Sequence, residues 1–178
     1  MESFLDPTLC ISGYSYRKIW LIDSKTVTLD IIDAPSEEYY MAVREQFVKG
    51  ADGILLVYSV TNRTSFGEVM NLYNLIRRVK EPSEESIQVV LAANECEQDG
   101  EHAGERVVSA IEGQNLAKNI ECPIYEISTK GRQNLEEPFH ELVRMIRRYK
   151  LRSEVLDGRA DSLEDSSKNT QGSRCIVS

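Results

Sequence analysis

The 178-residue chain holds no apolar run near the ~20 residues that a membrane-crossing helix needs. Its opening residues, MESFLDPT, lack the basic start and apolar middle of a secretory signal. Positive charge is in deficit. Lys and Arg number 21 against 29 Asp and Glu, for a formal net charge of −8. That balance excludes a general nucleic-acid binder, which gathers basic groups against phosphates. Cysteine is sparse and unpatterned: Cys10, Cys96, Cys122 and Cys175 show no CxxC spacing. The scatter excludes a zinc signature and a disulfide framework, and it fits a reducing compartment. His102 and His140 lack metal-ligand spacing. No internal repeat is visible. What is present is a hydrophobic share of 41%, enough for a real core and too much for a wholly disordered chain.

The chain changes character once, near residue 151. Residues 157–174 contain only two apolar side chains, Ala160 and Leu163, among Ser, Asp, Glu and Gly. They read as a disordered tail. Three parts follow: a body over 1–150, a disordered tail over 151–174, and a distinct last four residues. In the body, residues 17–22 and 26–32 are β-rich runs around Asp23-Ser24-Lys25 and predict a hairpin. Residues 53–60 are continuously apolar, as a parallel strand buried on both faces requires. Residues 88–93 and 123–127 predict two more strands. Phe66, Val69, Leu72, Ile76 and Val79 recur at helical spacing, as do Leu135, Phe139, Leu142, Val143 and Ile146. Weaker helices are expected over 109–119 and 37–48. Pro138 falls in the first turn of the last helix, where a missing N–H is harmless. Alternating strands and helices predict an α/β fold with a parallel sheet and helices on both faces. Ligands then bind in loops beyond the C-terminal strand ends.

Those loops carry the informative residues. The chain opens with Asp6-Pro7-Thr8 ahead of the hairpin. Asp33-Ala-Pro-Ser36-Glu37-Glu38 follows the second strand, Asn94-Glu95-Cys96-Glu97 the fourth, and Ser128-Thr129-Lys130 the last. In this order, and with the chain ending in Cys175-Ile-Val-Ser178, the sequence resembles the Ras family of small GTPases over about residues 3–150 and the final four. Residues 52–60, Thr64-Ser65-Phe66, Arg77-Arg78-Val79-Lys80 and 142–148 look most like fungal Ras proteins.

The resemblance implies a Ras-like G-domain: a three-layer, mostly parallel sheet with one antiparallel hairpin. It implies GTP/GDP and Mg²⁺ as ligands, and effector or exchange-factor proteins as partners. Thr8 and Asp33 match the Mg²⁺-linked positions. Asn94, Glu97, Ser128, Thr129 and Lys130 match the guanine-reading positions. Glu37 stands where the family's Gln positions the attacking water. A carboxylate cannot donate the amide hydrogen bond, and it adds negative charge beside a phosphate; it reads either as a base or as a solvated switch residue. Ser36 replaces a hinge Gly. Glu95 reverses the charge of the family's Lys, and Glu97 lengthens its Asp by a methylene. Between Thr8 and Tyr16, Cys10 and Ile11 replace the acidic pair that basic effectors read.

The family's phosphate-binding loop, GxxxxGK[ST], has no counterpart in these residues. The resemblance therefore implies a G-domain missing its first strand, that loop and its first helix. The strand belongs mid-sheet, so runs 26–32 and 53–60 are expected to have open, unpaired edges. Each residue also has a plainer reading. Asp33, Glu37 and Glu38 could be acids at a helix N-terminus, and Asn94 a strand-end turn residue. Cys10, Cys96 and Cys122 read as core or loop thiols.

Cys175-Ile-Val-Ser178 fits a CaaX box of the farnesyl type, with a prenyltransferase as partner and the inner membrane leaflet as destination. One lipid tethers marginally, and residues 151–178 carry four basic groups against five acidic. Association is thus expected to be reversible, at the cytoplasmic face of the plasma membrane or endomembranes with a cytosolic pool. Arg144, Arg147, Arg148, Lys150 and Arg152 read either as a bilayer-facing patch or as favourable charge at a helix C-terminus. Three functions remain open: a pseudo-GTPase acting through protein contacts, with GTP binding and hydrolysis impaired or absent; an active GTP-binding switch whose phosphate loop precedes this sequence; and a divergent duplicate that folds poorly.

Overall fold

The computed structural model describes residues 14–34, 41–80, 87–95, 105–156 and 172–177. Strands β1 (Tyr14–Ile22) and β2 (Lys25–Asp33) pair antiparallel. Asp23 and Ser24 close the hairpin with φ of 52° and 62°. Those left-handed torsions match the right-handed twist of the flanking strands, and small polar residues tolerate them. The expected hairpin is therefore present, and longer than the runs 17–22 and 26–32.

Helix α1 (Met41–Gly50), strand β3 (Gly53–Ser59), helix α2 (Arg63–Lys80), strand β4 (Gln88–Glu95), helix α3 (Ala110–Asn119), strand β5 (Ile124–Ser128) and helix α4 (Glu137–Leu156) then alternate. Strands β3, β4 and β5 pair in parallel. This is the α/β architecture the alternation predicts. Of the helix expected over 37–48, the described part is α1; residues 35–40 lie outside the described residues.

Parallel strands buried on both faces split their side chains between two cores. On one side Ile54, Leu56 and Tyr58 of β3 and Leu91 of β4 meet Val69 and Ile76 of α2 and Leu116 of α3. On the other, Leu55, Val90 and Ala92 meet Leu142, Val143 and Ile146 of α4 and Val27 and Leu29 of β2. Gly53 lets α4 approach, because a Cβ there would lie 2.8 Å from Leu142 Cδ1 and 2.9 Å from Ile146 Cδ1. Lys80 is buried at the end of α2, and its Nζ donates to the carbonyls of Lys49 and Ala51. It thus serves carbonyls that the end of α1 leaves over.

Helix α4 runs to Leu156, beyond the body–tail boundary expected at 150. The basic run accordingly sits inside the helix, whose last turn has no basic residue, so the helix-end reading of that run does not hold. Most of the run is spent within the molecule. Arg144 forks onto the Asp23 carboxylate (2.9–3.3 Å), and Arg147 donates to the Ile22 and Lys25 carbonyls. Arg148 pairs with Glu141 and Lys150 with Asp52. The Arg144, Arg147 and Lys150 contacts clip α4 to the hairpin turn and to the entry of β3, while the Arg148–Glu141 pair stays within the helix.

The edges of β2 and β3 expected to stand open are paired. Strand β6 (Gly172–Val177) lies between them, parallel to both, giving the order β1-β2-β6-β3-β4-β5. Its register sets Ile31 opposite Cys175, and Cys175 opposite Gly53. No described strand joins β2 directly to β3, so β6 alone carries the sheet from the hairpin to the parallel strands. The chain from 157 to 171 lies outside the described residues.

Candidate functional site

The C-terminal ends of the parallel strands hold the polar residues. Asn94 and Glu95 close β4, in register with Ile127 and Ser128 of β5. Asn94 also pairs with Ser59 of β3, and its carbonyl accepts the Val60 N–H at 3.0 Å. The side-chain oxygen of Asn94 is buried. Beyond β5, Ser128 exchanges both backbone hydrogen bonds with Gln133, and its Oγ accepts the Gly131 N–H at 3.0 Å. That closed loop presents Thr129 and Lys130 to solvent. Asn134 holds its far side by donating to the Glu126 carbonyl.

A segment ahead of α3 covers the end of β3. The N–H groups of Val107 and Val108 both donate to the Val60 carbonyl, at 2.9 and 3.0 Å. This brings Arg106 over the sheet's end, where its guanidinium bridges Glu95 and Glu126, the latter at 2.9 Å. The two carboxylates hold the Arg106 pKa above its ordinary value, the Glu126 hydrogen bond contributing most. Ser109 then caps α3 in a reciprocal box with Glu112, and Arg63 of α2 donates to the same carboxylate at 2.5 Å. Across from it, Asn62 caps α2 by accepting the N–H groups of Thr64 and Ser65.

Six of the site residues expected from sequence can be placed: Asp33, Asn94, Ser128, Thr129, Lys130 and Cys175. Asn94, Ser128, Thr129 and Lys130 come together at adjacent ends of β4 and β5. Asp33 is apart from them, exposed at the end of β2, three strand spacings or ~14 Å across the sheet from β4. Thr8, Glu37 and Glu97 lie outside the described residues, as do Ser36, Cys10 and Cys96. Cys175 is a backbone partner in the middle of the sheet. Cys122 is partly buried, and burial pushes its thiol up to about 11, which fits a packed and unreactive sulfur. Arg106 escaped the sequence reading. Its signal was Glu95 itself: a reversed charge asks for a basic partner, and Arg106 is the first Lys or Arg after it.

Among the described residues no cluster of three or more His, Cys, Asp or Glu could hold a metal ion, and no helix is long and apolar enough to cross a membrane.

The Ras family model matches residues 3–148. A Ras-like protein from Laccaria bicolor is 42% identical over 144 residues, which are 81% of this chain and 65% of that relative. The chain thus spans just under two thirds of the length of the curated relative it matches.

Proposed function

The chain belongs to the Ras family of small GTPases, and from that premise we propose that it acts as a pseudo-GTPase, engaging protein partners at a membrane without turning over GTP. The observation that carries this reading is the ion-pair bridge at the base-reading end. In the family a Lys beside the Asn packs along the base and ties to the phosphate loop. Here the position is Glu95, and its carboxylate is committed to Arg106. No positive group from this position faces a phosphate, and Glu126 adds a second carboxylate to the same bridge.

GTP with Mg²⁺ would supply a γ-phosphate that holds the family's switch loops, and hydrolysis to GDP and phosphate would release them. The residues of this chain fit that ligand at one end only. Asn94 and the Ser128-Thr129-Lys130 loop match the family's base-reading positions and lie at adjacent ends of β4 and β5. Residues 1–178 contain no GxxxxGK[ST], and Ser36 and Glu37 stand at the family's Gly and Gln positions of the switch.

Thermal unfolding with and without ~1 mM GDP or GTP and Mg²⁺ tests the reading. A site with a dissociation constant of ~10 μM would add about 2.7 kcal/mol. The expected result is no Mg²⁺-dependent shift. A clear upward shift would overturn the reading; the same measurement on the protein isolated from its own cell tests the second one, an active switch whose phosphate loop lies upstream, which a shift there alone would favour. The match to 65% of a Ras-like relative is the observation that favours it.

The lipid reading belongs to the same proposal. Cys175 would carry a farnesyl group added by a prenyltransferase, placing the protein at the cytoplasmic membrane face with a cytosolic pool. The commitment of Arg144, Arg147, Arg148 and Lys150 to internal contacts leaves little basic charge to reinforce one lipid. Effector or exchange-factor proteins remain the partner class that the family suggests. Fractionation should find Cys175→Ser shifted to the soluble pool; an unchanged distribution would remove the lipid.

A further inference from the structure

Segment Gly172–Val177 has two destinations. Its sequence offers Cys175 to a lipid transferase, and its backbone fills the sheet between β2 and β3. We propose that the groove between β2 and β3 is a strand-binding site for this segment, and that its occupancy and the lipidation of Cys175 exclude one another. The second clause rests on the lipid reading above; the first does not.

The register carries the argument. Six residues of β6 pair with Thr28–Asp33 of β2, and three of them pair with Gly53–Leu55 of β3. Cys175 is among the three, with Ile31 on one side and Gly53 on the other. A residue hydrogen-bonded into a sheet between two neighbours cannot also lie extended in an enzyme cleft. Lipidation joins Cys175 Sγ to C1 of a prenyl diphosphate. The C1–O bond breaks, diphosphate leaves, and the thiol proton passes to solvent. That step needs residues 175–178 free of the sheet.

The connection permits both states. Helix α4 ends at Leu156 and β6 begins at Gly172, with fifteen residues between. A link of that length spans up to ~50 Å when extended, ample to seat the segment or to release it without disturbing α4. Releasing β6 opens the inner edges of β2 and β3, because no other described strand joins them. The lipid-bearing form is therefore the form with an open sheet, and such an edge accepts an extended segment by backbone pairing.

Ser173→Pro provides the test. Proline removes a backbone N–H and resists a central strand, while Cys175-Ile-Val-Ser178 stays intact. Full chain, the Ser173→Pro chain and the peptide of residues 168–178, with and without the same proline, are incubated with farnesyl diphosphate and a protein farnesyltransferase. Occupancy of about nine-tenths would slow the parent chain ~tenfold relative to the peptide. The variant should recover most of that factor. In parallel, amide hydrogen exchange is followed over Thr28–Asp33 and Gly53–Leu55. Protection in the parent and its loss in Ser173→Pro support the strand site. Equal rates for parent and peptide, or exchange untouched by the proline, overturn the proposal. Peptides that are themselves inert would refute the lipid reading alone; the exchange result then decides the strand site.

Discussion

Glu112 shows how much one side chain can organise. Its Oε2 accepts the Ser109 N–H at 2.9 Å and the Ser109 hydroxyl at 2.8 Å, while Oε1 meets Arg63. The Ser109 backbone bond is the largest cause, followed by Arg63 and the Ser109 hydroxyl, and together they bring the carboxyl from 4.5 to about 2. A depressed folded value means the unfolded chain takes up the proton first. The stabilisation is complete above the unfolded value and fades as pH falls from about 4.5 towards about 2. Glu112→Gln keeps an oxygen to accept the Ser109 N–H but cannot titrate. Urea midpoints taken from about pH 5 to about pH 2 should therefore fall more steeply for the parent than for Glu112→Gln. Parallel curves would remove Glu112 from the acid response. Asp23 adds to the same trend, since the Arg144 hydrogen bond lowers its pKa.

At the scale of elements, the seating of α3 against the sheet turns on Gly113. A Cβ at that position would collide with Tyr58 Oη and come within 3.1 Å of Ile124 Cδ1. Tyr58 cannot swing away easily, being 2% exposed and packed edge-on against Phe66 at 5.0 Å between ring centroids. Two effects oppose each other in Gly113→Ala. Helix propensity favours Ala by up to ~1 kcal/mol, whereas overpacking a close contact costs ~1–3 kcal/mol. The clash involves a buried ring, so the net result should be a loss of about 1 kcal/mol or more in denaturant unfolding. A gain in stability would mean that α3 slides freely over β3.

The same element shows what the sequence discloses and what it withholds. Ser109 followed by Glu112 is a local signature, and a local signature can be read from the chain. The apolar run of β3 and the helical spacing of α2 and α4 were legible for the same reason: a buried face repeats with the period of its own backbone. The candidate site was half legible. Asn94 and Ser128-Thr129-Lys130 were visible because a family pattern marks them at strand ends. The Arg106 bridge was not, because it depends on a loop folding back over the end of β3. The reach of α4 past residue 150 was also missed, since Leu151 and Val155 are exposed apolar residues that do not extend the buried stripe.

For the whole molecule, the least legible feature was the most consequential. The gap between β2 and β3 could be inferred from the resemblance. Its occupant could not, because six residues at the end of a polar stretch carry no period of their own, and their pairing is set entirely by strands more than a hundred residues away. Such long-range pairing is slow, because chain must be ordered before any contact rewards it.

Birth order sharpens this. The strand in the interior of the sheet is made after every other described strand. Synthesis adds roughly 5–20 residues per second. Until residues 172–177 are made, the growing chain therefore holds the hairpin and the three parallel strands without the described strand that joins them. Ribosome-arrested chains whose residues 14–156 have emerged should be cut by protease near β2, and chains released after residue 177 should resist. Equal resistance would show that the two halves hold together unaided. The sheet is thus joined across its middle by a segment that is made after every strand it joins.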